Sequence, residues 1–373
     1  MNDESAMNLH KRLRGKIEIK PKMFINDTKD LSLVYTPHVA DVSKAIYDNK
    51  DLVYDYTSKW NNIAIVTDGS RLLGLGDLGG EAALPVMEGK SMLYKQFGNI
   101  DAYPICLSTK DKDAIIDIIK GITPSFAAIN IEDIESPKCL EIVDALDIDL
   151  PIFHDDQHGT AVVTLAALIN ALKIVNKDLD VKIIVAGAGA AGYGIINLLH
   201  AYGFKNIIAL DSKGIITKEN REDRYKRRIG SITNREGIEG SLIDAIKDAD
   251  IFIGVSGKPN LLTRDMIRLM NRDPIIFALS NPDPEITPEE ADEARIIATG
   301  RSDYYNQVNN LLAFPFLMRM VLDKRIKKID EELLLKYAII LSNATKSIDE
   351  KHILPNITDK NAIDSLIDMI NSI

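Results

Sequence analysis

The chain reads as an α/β protein: an N-terminal α/β catalytic domain, then a Rossmann-type doubly wound dinucleotide-binding domain with C-terminal helices. Three observations predict this. Short apolar runs alternate with helical patterns along most of the 373 residues, as strands of a parallel sheet alternate with covering helices. One run, residues 181–186, is apolar throughout, as expected of a strand covered on both faces. It opens directly on Gly187-Ala188-Gly189-Ala190-Ala191-Gly192, a glycine-spaced turn that leads into a helix.

Taken in order, the first thirty residues carry no pattern. Residues 33–37 read as an extended piece ending at Pro37, followed by a helix over 39–47. Residues 62–67 are a β-branched run that stops at Asp68-Gly69, and the stretch 74–80 is glycine-rich, so its backbone can approach a neighbour closely. A helix over 87–97, a strand over 102–107 and a helix over 112–121 follow. Two more apolar runs, 125–131 and 148–153, each end beside a pair of acids: Glu132-Asp133 and Asp155-Asp156. Beyond the glycine turn a helix runs to about Tyr202, and strands are expected at 206–210, 251–255, 275–279 and 296–298. The remainder is helical, over 318–327, 331–345 and 360–370. The domain boundary falls at 158/159, giving 1–158 and 159–373, with the last helices free to pack back on the first domain.

Composition excludes several classes. The net charge of −10 does not suit a nonspecific nucleic-acid or anionic-membrane binder. Two cysteines, Cys106 and Cys139, cannot build a disulfide scaffold or a four-thiolate metal site. The polar opening residues lack an export signal, and the apolar run 160–175 is shorter than the roughly 20 residues a spanning helix needs. The expectation is a protein of the cytoplasm with no membrane and no nucleic-acid partner.

Each glycine of the fingerprint has a physical task. Gly187 allows the tight turn, Gly189 lets backbone approach a pyrophosphate, and Gly192 permits close packing of helix on strand. The helix start offers free N–H groups and the positive end of its dipole to phosphate oxygens. About 20 residues further on, Asp211 stands where a carboxylate meets a ribose diol. Asp211 favours NAD, whereas Lys213 and the basic run 221–228 could neutralise the extra phosphate of NADP. The plainer reading of that run is a solvated loop.

The acid pairs could meet across a cleft, because strand C-termini of a parallel sheet share one edge. Carboxylate oxygens suit a hard ion, Mg²⁺ or Mn²⁺; the plainer reading is two acidic surface loops. A rival lies in His154-Asp155-Asp156-Gln157-His158, whose histidines have the i, i+4 spacing of a zinc peptidase helix. The acid between them is not the longer glutamate base, and Pro151 points to a loop or helix start. Lys90 is ordinarily a solvated cation, but becomes a general base if a cleft lowers its pKa. Tyr35 near a lysine and a metal would be a general acid, and Arg71 could grip a carboxylate through its planar fork.

These residues assemble into a resemblance. Tyr35-Thr36-Pro37, Thr67-Asp68-Gly69, Leu73-Gly74-Leu75-Gly76-Asp77-Leu78-Gly79, Pro85-Val86-Met87-Glu88-Gly89-Lys90, Ile131-Glu132-Asp133, Asp155-Asp156-Gln157-His158-Gly159-Thr160, Asp211-Ser212-Lys213-Gly214, Ser280-Asn281-Pro282 and Asn309-Asn310 resemble the malic enzymes in their short prokaryotic form. The likeness runs in order from about Tyr35 to Phe316, with one departure: His38 stands where the family reads glycine. The resemblance implies oxidative decarboxylation of malate to pyruvate and CO₂, with reduction of NAD or NADP and a requirement for Mg²⁺ or Mn²⁺. It also implies activity toward oxaloacetate, a homodimer, and a specific role for each site residue. Tyr35, Lys90 and Asp155 become catalytic; Glu132, Asp133 and Asp156 become metal ligands. Arg71, Asn281, Asn310 and Asn309 hold substrate. Gly187 to Gly192, Asp211, Ser212, Lys213, Thr160, Ser256 and Asn281 hold the coenzyme. Two other classes compete: a metal-free amino-acid dehydrogenase with a lysine base, and a non-enzymatic nucleotide-responsive binding protein.

Overall fold

The computed structural model describes residues 4–372; the outermost residues of the two expected domains lie outside it. The first sheet is built from β1 (Asn62–Thr67), β2 (Asp101–Cys106), β3 (Ala128–Ile131) and β4 (Ile152–His154), all parallel, in the order β2-β1-β3-β4. The second holds β5 (Lys182–Ala186), β6 (Asn206–Asp211), β7 (Gly214–Ile215), β8 (Ile251–Gly254), β9 (Ile275–Ala278) and β10 (Ile296–Thr299). Its order is β10-β9-β8-β5-β6-β7, parallel except for the edge strand β7. Strand order reverses at β1/β3 in one sheet and at β5/β8 in the other. Crevices outside the strand C-termini open at such points. The Gly69–Gly79 loop and Glu132-Asp133 lie at the first reversal, and the Gly187–Gly192 turn at the second.

One hydrophobic core runs through both sheets, from Ile63, Tyr94 and Phe153 to Ile183, Phe277 and Leu317. The helix Phe314–Asp323 belongs to the C-terminal part, yet it packs on the N-terminal helix Gly80–Gly98. Tyr94 and Phe314 meet with ring centroids 4.7 Å apart, Phe97 and Phe316 at 6.3 Å. Residues 155–175 form one continuous helical stretch of 21 residues; its most apolar 18 residues have a mean hydropathy of 1.5, and 72% of them are buried in the fold. By length it does reach what a membrane span needs, contrary to the sequence reading, but its apolar surface is used as core.

Three local expectations are corrected. Residues 33–37 are not extended: a helix runs Thr28–Val34, started by the Asp27 carboxylate accepting from the Asp30 amide. The helix expected at 87 begins at Gly80 and carries Pro85 inside; a proline one turn in removes a single donor near the helix start. The helix expected at 318 begins at Phe314 with Pro315 in its first turn, where proline is well tolerated. The His38 departure is harmless to the backbone, which there has φ −75° and ψ −18° and requires no glycine.

Candidate active site between the two sheets

Lys90 is the centre of the site. It lies on the buried face of the helix Gly80–Gly98, and its ammonium donates to Glu132 Oε1 and to Asp155 Oδ2, each at 2.6 Å. Glu132 arrives from the end of β3. Asp155 comes from a turn, Asp155–Gly159, that winds wider than an α-helix before the regular helix Thr160–Val175. All three side chains are buried, and Phe314 places its ring centroid 4.5 Å from the ammonium. Burial opposes the charge on Lys90, but Asp155 and Glu132 outweigh it and raise the lysine above its ordinary value. A depressed lysine is therefore not what this arrangement holds, contrary to the condition under which the sequence reading made Lys90 a base.

The carboxylates are crowded. Burial pushes Glu132 up to about 8, with Lys90 opposing and the charges of Asp155, Asp133 and Asp156 adding to the rise. Burial and then Asp156 push Asp133 up to about 7, with Lys90 and Arg71 acting against them. Asp156 differs: burial would raise it, but His154 beside it holds it below the usual carboxylate value. Asp155 Oδ1 is buried without a hydrogen-bond partner. These hard, charge-frustrated oxygen donors fit a divalent ion in their chemistry. Among the described residues no three acids or histidines already stand in coordination geometry. Two of the acids are gathered on the ammonium of Lys90 instead.

Asn310 Nδ2 donates to Asp155 Oδ2 at 3.1 Å and to Thr160 Oγ1 at 3.1 Å, so both asparagine and threonine belong to this cluster. Thr160 was expected on the coenzyme. Asn309 instead caps the short turn that follows it, accepting from the Leu311 amide. Arg71 donates its backbone N–H to the Asp133 carbonyl and adds positive charge beside Asp133 and Asp156. The loop after β1 also touches the second domain: a side-chain carbon on Gly74 would stand 2.8 Å from the Asn281 carbonyl oxygen. Asn281 therefore sits at the seam of the two domains.

The fingerprint glycines divide their work geometrically. Gly187 has φ +119°, and a Cβ there would lie 2.5 Å from the Val255 carbonyl oxygen. A Cβ on Gly192 would overlap the Gly187 carbonyl oxygen, so helix and turn pack backbone on backbone. On Gly189 it would meet only Ser136 Cβ at 4.0 Å, which leaves open space where a pyrophosphate would lie. Ser256 is not free: its amide and hydroxyl both donate to the buried Glu285 Oε1 at 2.8 Å. Ser212 and Lys213 are exposed beside Asp211.

Tyr35 is not brought to this site within the chain. Its side chain is 68% exposed, and the helices on either side of it have no buried residue. The zinc reading also fails geometrically. His154 and His158 are both buried with ring centroids 6.5 Å apart, and the His154 amide donates to His158 Nδ1. Burial takes His158 down to about 3, while Asp156 and Cys139 overcome burial and take His154 up to about 10.

Sequence reasoning missed several residues. Tyr94 donates to Asn130 Oδ1 at 2.6 Å, and Asn130 Nδ2 passes the bond on to Glu132 Oε2 at 2.8 Å. A lone asparagine inside the apolar run of β3 was the available signal. Nothing in the chain's pattern marked Phe314 or Glu285.

Two family models match: the malic enzyme N-terminal domain over residues 14–147 and the malic enzyme NAD-binding domain over 157–369. The chain belongs to the malic enzyme family. The bifunctional malic/malolactic enzyme of Bacillus subtilis (strain 168) is 50% identical over 88% of this chain and 82% of its own length. The NAD-dependent malic enzyme of Geobacillus stearothermophilus is 48% identical over 94% of this chain and 74% of its own. The crystal structure of the NAD-dependent malic enzyme of Thermotoga maritima superposes with a TM-score of 0.94 at 46% identity, covering 98% of this chain and 99% of that one. Other matching family members carry NADP-dependent in their names. Membership in the family makes the chain an enzyme with a nicotinamide coenzyme and a Rossmann-type second domain. It removes the peptidase, amino-acid dehydrogenase and binding-protein alternatives.

Proposed function

We propose that this chain oxidises malate at C2 with NAD or NADP and releases the C4 carboxyl as CO₂, leaving pyruvate. Oxaloacetate decarboxylation is the second half of the same chemistry. The observation that carries the reading is the buried Lys90–Glu132–Asp155 triangle at the strand reversal of one sheet, whose Asp155–Gly159 turn packs on the helix that the fingerprint turn opens.

Glu132, Asp133 and Asp156 would hold a Mg²⁺ or Mn²⁺ ion, which when bound supplies Lewis acidity at the C2 oxygen. The nicotinamide coenzyme would lie along the Gly187–Gly192 turn and past the end of β6, and would supply the hydride acceptor for C2. Lys90, an ammonium in this arrangement, would first pass one proton to solvent; the neutral amine then accepts the proton of the C2 hydroxyl, and Asp155 keeps it aimed. Arg71, Asn281 and Asn310 bind and orient the two substrate carboxylates. The Tyr94–Asn130–Glu132 chain fixes the Glu132 carboxylate from behind, and Phe314 closes the apolar side against water.

Enolpyruvate still needs a proton at C3, the role assigned to Tyr35. Supporting a homodimer, the arm before β1 exposes Met7, Ile19, Phe24, Leu33, Tyr35 and Tyr47, a row of large apolar side chains that a second copy would cover. In that dimer Tyr35 of the partner subunit completes each cleft. A cytoplasmic location is part of the same proposal.

The test is a steady-state assay of malate-dependent NAD(P)H formation with chelator and metal add-back, run on the wild type, Lys90→Ala and Tyr35→Phe. Mixing the two variants after reversible dissociation should restore part of the lost activity if the tyrosine and lysine act across two chains. A metal-independent rate, or turnover with amino acids instead of malate, sinks the reading.

A further inference from the structure

The basic run 221–228 is not one solvated loop. Arg224 turns to Asp144 of the first domain, and Arg228 lines a cavity with Gln157, His158, Tyr193 and Glu331. Arg221 and Lys226 instead converge on Asp211, the residue that the fingerprint assigns to the coenzyme ribose. Asp211 Oδ1 accepts from Arg221 Nη2 at 2.6 Å and from the Lys213 amide at 2.8 Å. Its Oδ2 accepts from Arg221 Nε at 2.9 Å and Lys226 Nζ at 2.9 Å. A carboxylate has about four lone-pair positions. All of them are engaged within the protein, so Asp211 is closed to a ribose diol unless one of these bonds breaks.

The closure is tight. The Arg221 side chain is only 7% exposed, and its remaining groups donate to the Asn220 and Gly214 carbonyl oxygens. Lys226 is 32% exposed, and with one N–H on Asp211 it keeps two donors free. Two cations and one anion leave a net positive charge at the end of β6, with the exposed Lys213 adjacent. The usual reason for an acid at this position to reject a 2′-phosphate is like-charge repulsion. Here that charge is cancelled, and a free ammonium stands in its place.

We propose that Arg221, Asp211 and Lys226 form a 2′-phosphate-accepting seat: Arg221 holds Asp211 away from the coenzyme, and Lys226 offers its ammonium to the adenosine 2′-phosphate. The chain therefore takes NADP at least as readily as NAD, despite the aspartate. This deepens the coenzyme part of the proposed function and rests on the fingerprint turn as a dinucleotide site.

The test uses binding first, so that it does not depend on malate turnover. The full-length protein is titrated by calorimetry with 2′,5′-ADP and, separately, with 5′-AMP. The wild type should bind 2′,5′-ADP as tightly as 5′-AMP or tighter, with the preference shrinking as salt is raised. Lys226→Gln should lower the ratio of 2′,5′-ADP to 5′-AMP affinity about tenfold, the worth of one charge-assisted hydrogen bond. Arg221→Met frees the Asp211 carboxylate and should lower the ratio by tenfold or more, while Arg221→Met/Asp211→Asn should recover most of it. Arg221→Lys, which keeps the charge, guards against simple misfolding and should stay within about threefold of the wild type. A wild type that binds 5′-AMP at least tenfold tighter than 2′,5′-ADP overturns the inference, as do variants that leave the ratio unchanged. If 2′,5′-ADP binds as expected while malate is not turned over, the catalytic reading fails and this one stands.

Discussion

Replacing Lys90 by methionine separates the electrostatic from the catalytic work of the buried triangle. The substitution keeps an unbranched, similarly sized side chain beside Phe314, so packing is roughly conserved. It leaves Glu132 and Asp155 facing one another across the vacated charge, with Asp155 Oδ1 already unpartnered. Each carboxylate oxygen now lies 2.6 Å from the ammonium. Removing one partner of a buried ion pair typically costs about 3–5 kcal/mol, because the remaining charge is stranded. Burial already raises Glu132, and losing Lys90 removes the charge that opposes that rise, so protonation of Glu132 softens the cost at low pH and the loss should grow as pH rises. Turnover should fall on the order of 10²–10⁴-fold, the usual worth of a positioned acid–base group. Thermal melting between pH 6 and 9 and steady-state kinetics with malate read the two effects. The variant Lys90→Met/Glu132→Gln/Asp155→Asn removes all three charges together and should regain most of the stability but none of the activity. A single variant that melts like the wild type at pH 9, or turns over malate within tenfold of it, would refute the reasoning.

Three further outcomes follow from the same geometry. Asp156→Asn should raise the Mn²⁺ concentration needed for half-maximal activity at least tenfold, and an unchanged titration would remove Asp156 from the ligand set. Gly192→Ala drives a methyl group into the Gly187 carbonyl, so coenzyme affinity, measured by quenching of protein fluorescence, should fall at least tenfold; wild-type affinity would show the turn has slack. Glu132 and Asp133 have pKa values raised to about 8 and about 7, so between roughly pH 4 and 8 the folded chelated protein binds more protons than the unfolded chain. Their contribution to stability therefore declines as pH rises through that window, by about 1.4 kcal/mol per pH unit per fully shifted group. Glu132→Gln should flatten the slope of melting temperature against pH relative to the wild type, and an identical slope counts against the shift.

Much of the second domain was legible in the chain because its signals are local. An unbroken apolar run, three spaced glycines and an acid some 20 residues later lie within one strand–turn–helix–strand unit, and β5, β6, β8, β9 and β10 stand within a residue or so of where periodicity puts them. The helix starts at Thr28, Gly80 and Phe314 were misread where proline or an aspartate cap changed the boundary, a matter of one or two hydrogen bonds that composition does not rank. His154 and His158 show the reverse error: a spacing that suggests a ligand pair belongs to two buried rings that support the turn carrying Asp155 and Asp156.

By itself the chain's order of residues determined the two-sheet architecture, the dinucleotide turn and the candidate acids, since each depends on neighbours a few positions away. Only the tertiary structure decided what those charges do. Lys90 lies 42 and 65 positions from the acids it binds, and Asn310 reaches back 155 positions to Asp155. Asp211 is taken up by an arginine from the next loop. The sign and size of every shift in the site come from which charges share the low-dielectric space between two sheets, and that is set by packing rather than by sequence spacing.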